Sequence, residues 1–276
     1  MTQMTSTDVL LSVEDLKVHF PRPRSGWGKP PEVVKAVDGV SFDIRRGSTL
    51  AVVGESGSGK TTTALAVMRL SPVTAGSIQL GDMNLGEMRG EALRLARKRM
   101  QIIFQDPFSS LNPRERAGAA VRAPLDLMHV GTPDERTARV SELFEAVGLR
   151  PEQQHLFPHQ FSGGQRQRIN IARALATNPE LVVCDEPVSA LDIAIRAQIL
   201  NLLVRLQRQL GLTYLFISHD MAVVEHICDE IAVMYLGQIV ERAPRKAFFA
   251  RPLHPYSVAL MSAVPDVKGG RARAAQ

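Results

Sequence analysis

The segment Gly54-Glu55-Ser56-Gly57-Ser58-Gly59-Lys60-Thr61 narrows the fold of this chain more than any other stretch of it. It fits the spacing G-x-x-x-x-G-K-[ST], follows the apolar run Thr49–Val53 and opens a helical run over Thr61–Leu70. Glycines at these places let successive backbone N–H groups curl around an anion, and the helix start adds partial positive charge. Residues 54–61, with Thr62, are therefore the candidate cradle for a polyphosphate. Lys60 is expected on the β- and γ-phosphates, and the Thr61 hydroxyl on Mg2+. A chance glycine turn would not arrive with strand, loop and helix in register. Alone, the loop says only that a nucleotide is bound.

A second feature adds chemistry. Leu181-Val182-Val183-Cys184 is a continuous apolar run, the pattern of a strand covered on both faces, and it ends in Asp185-Glu186. Carboxyl ends of such strands are where open α/β sheets bind ligands. Asp185 is then the candidate for Mg2+, and Glu186 the candidate base that directs a water at the γ-phosphorus. Solvated loop acids are the plainer alternative. Further runs at Leu50–Val53, Gln101–Phe104, Tyr214–Ile217 and Ile231–Met234 alternate with helical patterns, among them 134–147 and 191–210, the latter closed by Gly211. The stretch from about Gly86 to Phe161 is mostly helical and reads as an insert. Pro21–Pro31 reads as a loop between two N-terminal strands.

Phe161-Ser162-Gly163-Gly164-Gln165 precedes a helical run over Ile169–Ala176. Ser162 suits an N-cap, and two glycines bare the first N–H groups of the helix, which makes a second anion site. One phosphate loop and one further anion-binding helix end in a single chain suggest head-to-tail pairing, each nucleotide clamped between two molecules.

With these residues in hand the chain resembles the ATP-binding subunits of ABC transporters, whose motifs occur here in order. Ser162–Gln165 resembles their signature motif, Gln105 in Phe104-Gln105-Asp106-Pro107 the Q-loop glutamine, Ser189-Ala190-Leu191-Asp192 the D-loop, and His219 in Ile217-Ser218-His219-Asp220 the switch histidine. The resemblance implies that Gln105 contacts Mg2+ and the water, that Asp192 belongs to the loop coupling two sites, and that His219 contacts the γ-phosphate. It implies an α/β fold, a P-loop NTPase (RecA-like) core with a mainly parallel sheet, an N-terminal antiparallel β subdomain and an inserted helical subdomain over about 86–165. The ATP-binding domain is expected over 8–245, with a C-terminal extension over 246–276 whose tail is disordered. Phe20, at the end of the first strand, is the candidate to stack on adenine; core packing is its alternative role and Trp27 a rival.

Several stretches resemble the oligopeptide and dipeptide importer group, which also serves nickel and glutathione: Gln105–Arg114, Asp185–Asp192, and His254-Pro255-Tyr256 with Leu260-Met261. That likeness implies ATP and Mg2+ as cofactors and a second ATPase subunit, identical or paralogous, as partner. It also implies two transmembrane permease subunits, an extracytoplasmic solute-binding protein, and a peripheral place on the cytoplasmic face of a bacterial inner membrane. Many relatives bind an iron–sulfur cluster through cysteines near their C-terminus; the last cysteine here is Cys228, so none is expected.

Composition agrees with a globular protein: 45% hydrophobic, 22% charged, and two cysteines, Cys184 and Cys228, too few for a disulfide framework. No stretch approaches the ~20 apolar residues of a membrane span, and the start lacks a secretory pattern. A net charge of +5 raises the question of nucleic acid. The basic clusters at Arg94–Arg99 and Lys268–Arg273 lack interleaved aromatics, so a solvated helix face and a frayed tail are expected instead. His155 and His159 have helical spacing, but Pro158 breaks the helix that would pair them on a metal. Two rival classes remain for the chemistry. A soluble ABC protein on ribosomes or DNA would carry two nucleotide domains or a coiled-coil insert, and a P-loop kinase would need a second substrate pocket.

Overall fold

The computed structural model describes residues 8–21 and 33–262. Trp27 and the basic residues Lys268–Arg273 lie outside them, as does the tail expected to be disordered. The first two strands, β1 (Val9–Pro21) and β2 (Val33–Arg45), pair antiparallel along their length, with Phe20 opposite Val34. A short strand, β3 (Thr49–Val53), then feeds the phosphate loop and helix α1 (Lys60–Val67). Strands β4 (Ala75–Leu80) and β5 (Met83–Asn84) return to β1, giving a four-stranded antiparallel sheet in the order β2-β1-β4-β5. After helix α2 (Gly90–Ala96) comes β6 (Met100–Ile103), then helices α3 (Ala117–Leu127), α4 (Pro133–Ala146) and α5 (Gly163–Leu175). The remainder is β7 (Leu181–Asp185), α6 (Ile193–Leu210), β8 (Thr213–Ser218), α7 (Met221–Ile227), β9 (Glu230–Tyr235), β10 (Gln238–Pro244), α8 (Arg245–Ala250) and α9 (Pro255–Ser262).

The second sheet has the order β10-β9-β3-β8-β7-β6 and is parallel except for β10. Its alternating side chains explain the layering. On β7, Val182 and Cys184 enter a cluster with the helices α3–α6, while Leu181 and Val183 enter the core shared with the antiparallel sheet. On β8, Tyr214 and Phe216 take the helical side and Leu215 and Ile217 the other. Successive strand residues point to opposite faces, so a run apolar at every position has to be covered twice. A third, smaller cluster joins Ala51 and Val53 of β3 to α7 and to Phe248 of α8.

Within the largely helical stretch 86–161, Met100–Ile103 joins the main sheet beside β7, where the run Gln101–Phe104 was read as a strand. Two expectations shift. Phe104, expected in that strand, has left the ladder and is 39% exposed. The helix after Phe161 begins at Gly163, earlier than its apolar periodicity suggests, because Ser162 and Gln165 cap each other reciprocally. Gly211 closes α6 in the left-handed region at φ 66°, where glycine has no Cβ to strain.

Candidate functional site

Strands β3, β8 and β7 lie side by side and end on one edge, so the loops after them share a cleft of about 600 Å³. Its walls include Gly54–Gly57, Gly59–Thr62, Gln105, Glu186 and His219. The loop backbone is specified closely. A Cβ at Gly54 would lie 2.2 Å from the Met234 carbonyl oxygen, and one at Gly59 would lie 2.2 Å from that of Ala36. Gly59 also sits at φ 106°, so only glycine allows this approach. The Lys60 ammonium folds back over the loop and donates to the carbonyls of Gly54 at 2.8 Å and Glu55 at 2.7 Å. Burial pushes its pKa down, countered by Glu186, Asp185 and Glu55. Ser58, predicted as part of the cradle, is buried and does not line the cleft with its neighbours.

The acids stand opposite. Asp185, at the buried end of β7, accepts the Thr61 hydroxyl at 3.0 Å. Burial raises its pKa; the Thr61 hydrogen bond and Lys60 act against that rise, while Glu186 adds to it. The next residue, Glu186, occupies the left-handed region at φ 47°, a conformation that non-glycine residues adopt where surroundings enforce it. Here its N–H donates to Ile217 O at 3.0 Å, and its own carbonyl accepts both the N–H and the hydroxyl of Ser189. This turn throws the carboxylate back over the cleft. Its Oε2 accepts from Gln105 Nε2 at 3.0 Å, and its Oε1 lies 3.0 Å from His219 Nδ1. Three residues separated by 81 and 33 positions thus meet at one carboxylate.

At Ser162–Gln165 the expected N-cap forms, and the segment stands apart from the cleft. Ser162 Oγ accepts the Gln165 N–H at 3.3 Å, and Gln165 Oε1 accepts the Ser162 N–H at 3.0 Å. None of Ser162, Gly163, Gly164 or Gln165 lines the cleft of its own chain. Gly164 is held against α6, where a Cβ would come 2.6 Å from Ile195 Cγ2. Asp192 caps α6 by position, its carbonyl accepting the Arg196 N–H at 2.8 Å, without a side-chain cap. Phe20 is exposed at the far end of β1 and does not line the cleft, whereas Ala36 of β2 does. Its proposed stacking role gains nothing from this placement.

Some residues escaped the motif reading. The Arg196 guanidinium donates to the carbonyls of Leu191 at 2.7 Å and Ser189 at 3.0 Å and pairs with Asp220 at 3.5 Å. It ties the loop after Glu186 to the segment carrying His219. Tyr256 accepts the Glu55 N–H through its phenol oxygen, and Leu260 lines the cleft. Tyr256 stood in the sequence as part of a subfamily likeness, with nothing local to tell its contact. Among the described residues no cluster of His, Cys, Asp and Glu suits a metal on its own, and no helix is long and apolar enough to cross a membrane.

Comparisons with known proteins point the same way. A family model described as ABC transporter matches residues 37–189, and one described as Oligopeptide/dipeptide transporter, C-terminal region, matches 240–276. A probable peptide ABC transporter ATP-binding protein of Sinorhizobium fredii is 49% identical over 97% of this chain and 76% of its own length. The oligopeptide transport ATP-binding protein AppF of Bacillus subtilis is 47% identical over 94% of this chain and 79% of its own. The glutathione import ATP-binding protein GsiA of Salmonella typhi is 49% identical over 96% of this chain, which spans 42% of that protein. Among solved structures, the dimeric post-hydrolysis ATP-binding cassette MJ0796 bound to ADP and Pi superposes with a TM-score of 0.74 at 27% identity, over 86% of this chain and 99% of that one. CbiO1 of Clostridium perfringens gives 0.75 at 27% identity, over 88% and 92%. With this fold, and with an acid, an amide and an imidazole converging on a phosphate loop, the chain belongs to the ABC transporter family and is one of its ATP-binding, ATP-hydrolysing members.

Proposed function

We propose that this chain is a motor subunit of an importer for oligopeptides or dipeptides. The observation that carries its chemistry is the meeting of Gln105, Glu186 and His219 beside the phosphate loop. The peptide assignment is supported by the peptide-transport names of close relatives and by the matching C-terminal region.

In this reading the N–H groups of 54–62 that are free to face the cleft, and the Lys60 ammonium, hold the triphosphate. A water lies between Glu186 and the γ-phosphorus. Its oxygen attacks as the bond from phosphorus to the ADP oxygen breaks, and the Glu186 carboxylate takes a water proton. His219 donates to the γ-phosphate, and the Gln105 amide holds Glu186 and the water in line. The residues also fit Mg2+. Thr61 Oγ1, Asp185 Oδ1 and the Gln105 amide oxygen are hard oxygen donors, few in number, as suits an ion that shares its shell with phosphate oxygens and water. When bound, it would neutralise charge developing on the phosphate oxygens.

Ser162–Gln165 sits outside its own cleft, which supports completion of the cage by a second cassette, with Asp192 at the seam. The dimeric state of a similar cassette supports this too. The proposed division is an ATP-binding domain over 8–245, with its helical subdomain over about 86–165, and a C-terminal extension over 246–276. Two permease subunits, a solute-binding protein outside and a place on the cytoplasmic face complete the assembly. Purifying the tagged chain from membranes tests it. A second cassette and membrane-spanning subunits should copurify, and a complex holding no membrane-spanning protein would overturn the transport reading.

A further inference from the structure

Helix α9 lies beyond the strands that build the cleft, yet it touches the phosphate loop. The Tyr256 phenol oxygen accepts the Glu55 N–H at 3.0 Å. Its ring packs against that of Tyr235, the last residue of β9, with centroids 4.4 Å apart and the planes tilted by 40°. The residue before, Met234, presses its carbonyl against Gly54. The first two loop residues are therefore held between the end of β9 and α9. One turn along, Leu260 forms part of the cleft wall while packing on the cluster around Val53 and Met221. The entry to α9 is fixed as well. The Glu241 carboxylate of β10 accepts the N–H groups of Leu253 at 2.9 Å and His254 at 2.8 Å, and His254 Nδ1 accepts that of Tyr256 at 3.1 Å.

A phosphate loop binds by presenting several N–H groups in one arrangement, and tying its entrance lowers the ordering lost when ligand arrives. We propose that α9 is part of the nucleotide site, with Tyr256 a positioning residue for the phosphate loop and Leu260 a wall of the cleft. Nucleotide affinity and the docking of α9 are then linked in both directions, since coupling between two binding equilibria is reciprocal. The idea rests on the cleft being the ATP site.

The test uses the intact chain and ATP carrying a fluorescent N-methylanthraniloyl group on its ribose. Tyr256→Phe keeps the ring on Tyr235 and removes only the acceptor. Its Kd should rise about three- to ten-fold, the worth of one hydrogen bond, with KM affected more than kcat and the unfolding temperature unchanged. A merely structural role would lower both the turnover and the unfolding temperature. Val258→Ala, on the exposed side of the same helix, should keep the wild-type Kd. Lys60→Ala separates the two ideas. If it abolishes binding while Tyr256→Phe binds normally, the α9 proposal alone fails; if Lys60→Ala also binds normally, the site itself is misplaced. Hydrogen exchange on the unmodified chain is independent of any variant. Amides of 256–262 should exchange more slowly with saturating ATP, and unchanged exchange would overturn the proposal.

Discussion

Glu186 shows how much one residue's backbone decides. At φ 47° it would relax if its neighbours allowed, but its N–H, its carbonyl and both carboxylate oxygens are engaged. Glu186→Gln keeps that shape and removes the proposed base, so ATP binding should persist while steady-state hydrolysis falls by about 10²–10⁴-fold. Asp185 makes a different prediction. Burial raises its folded-state pKa above the unfolded value, so its ionised form weighs against folding, and its contribution to stability falls as pH rises through that window. Asp185→Asn keeps an acceptor for Thr61 and drops the charge. The nucleotide-free variant should unfold at a higher temperature than wild type at neutral pH, with the gap closing in acid, and should lose hydrolysis. Thermal unfolding across pH checks the sign. The loop glycines, Lys60 and these acids could all be named from the sequence, because each sits where a strand pattern breaks. The meeting of Gln105 and His219 on one carboxylate was not legible from spacing. It depends on which strands become neighbours.

At the scale of elements, β7 was the easiest strand to read, since its run of four buried apolar residues before Asp185 admits one explanation. Strand β6 was harder to place. It is an edge strand of four residues embedded between helical patterns, and its membership of the sheet is settled by pairing with β7, a partner some eighty residues away. Side-chain ties across sheets were also hidden. The Arg242 guanidinium of β10 binds Asp43 of β2 at 2.7 Å and Glu230 of β9 at 2.6 Å. Arg242 holds the Asp43 carboxyl below its ordinary pKa, chiefly by hydrogen bonding. A depressed carboxylate pKa contributes stability above the unfolded value and loses it as pH falls through the folded one. Arg242→Gln should therefore destabilise the chain by about 1–2 kcal/mol at neutral pH, after allowance for solvent screening, and by less in acid. Urea unfolding at the two pH values would measure this.

At the scale of the molecule, the strand order carries the function. Placing β3 between β9 and β8, and β8 beside β7, sets Lys60, Glu186 and His219 at the ends of three adjacent strands. The C-terminal extension is tied to that core as well, because Phe248 of α8 is fully buried against Ala51, Val53 and α7. Phe248→Ala should cost about 3–5 kcal/mol, measured by denaturant unfolding, whereas a loosely attached appendage would tolerate it. The sequence marked the extension by resemblance and left its contact with the phosphate loop unseen, since Tyr256 and Glu55 are 201 residues apart and share no pattern. In the proposed cycle ATP is cleaved in the cleft beneath Glu186. Phosphate release in a single turnover, with the chain purified together with its partner cassette and loaded with ATP, tests this most directly. Wild type should release phosphate while Glu186→Gln keeps its ATP intact over the same interval, and release from both at equal rates would contradict the account.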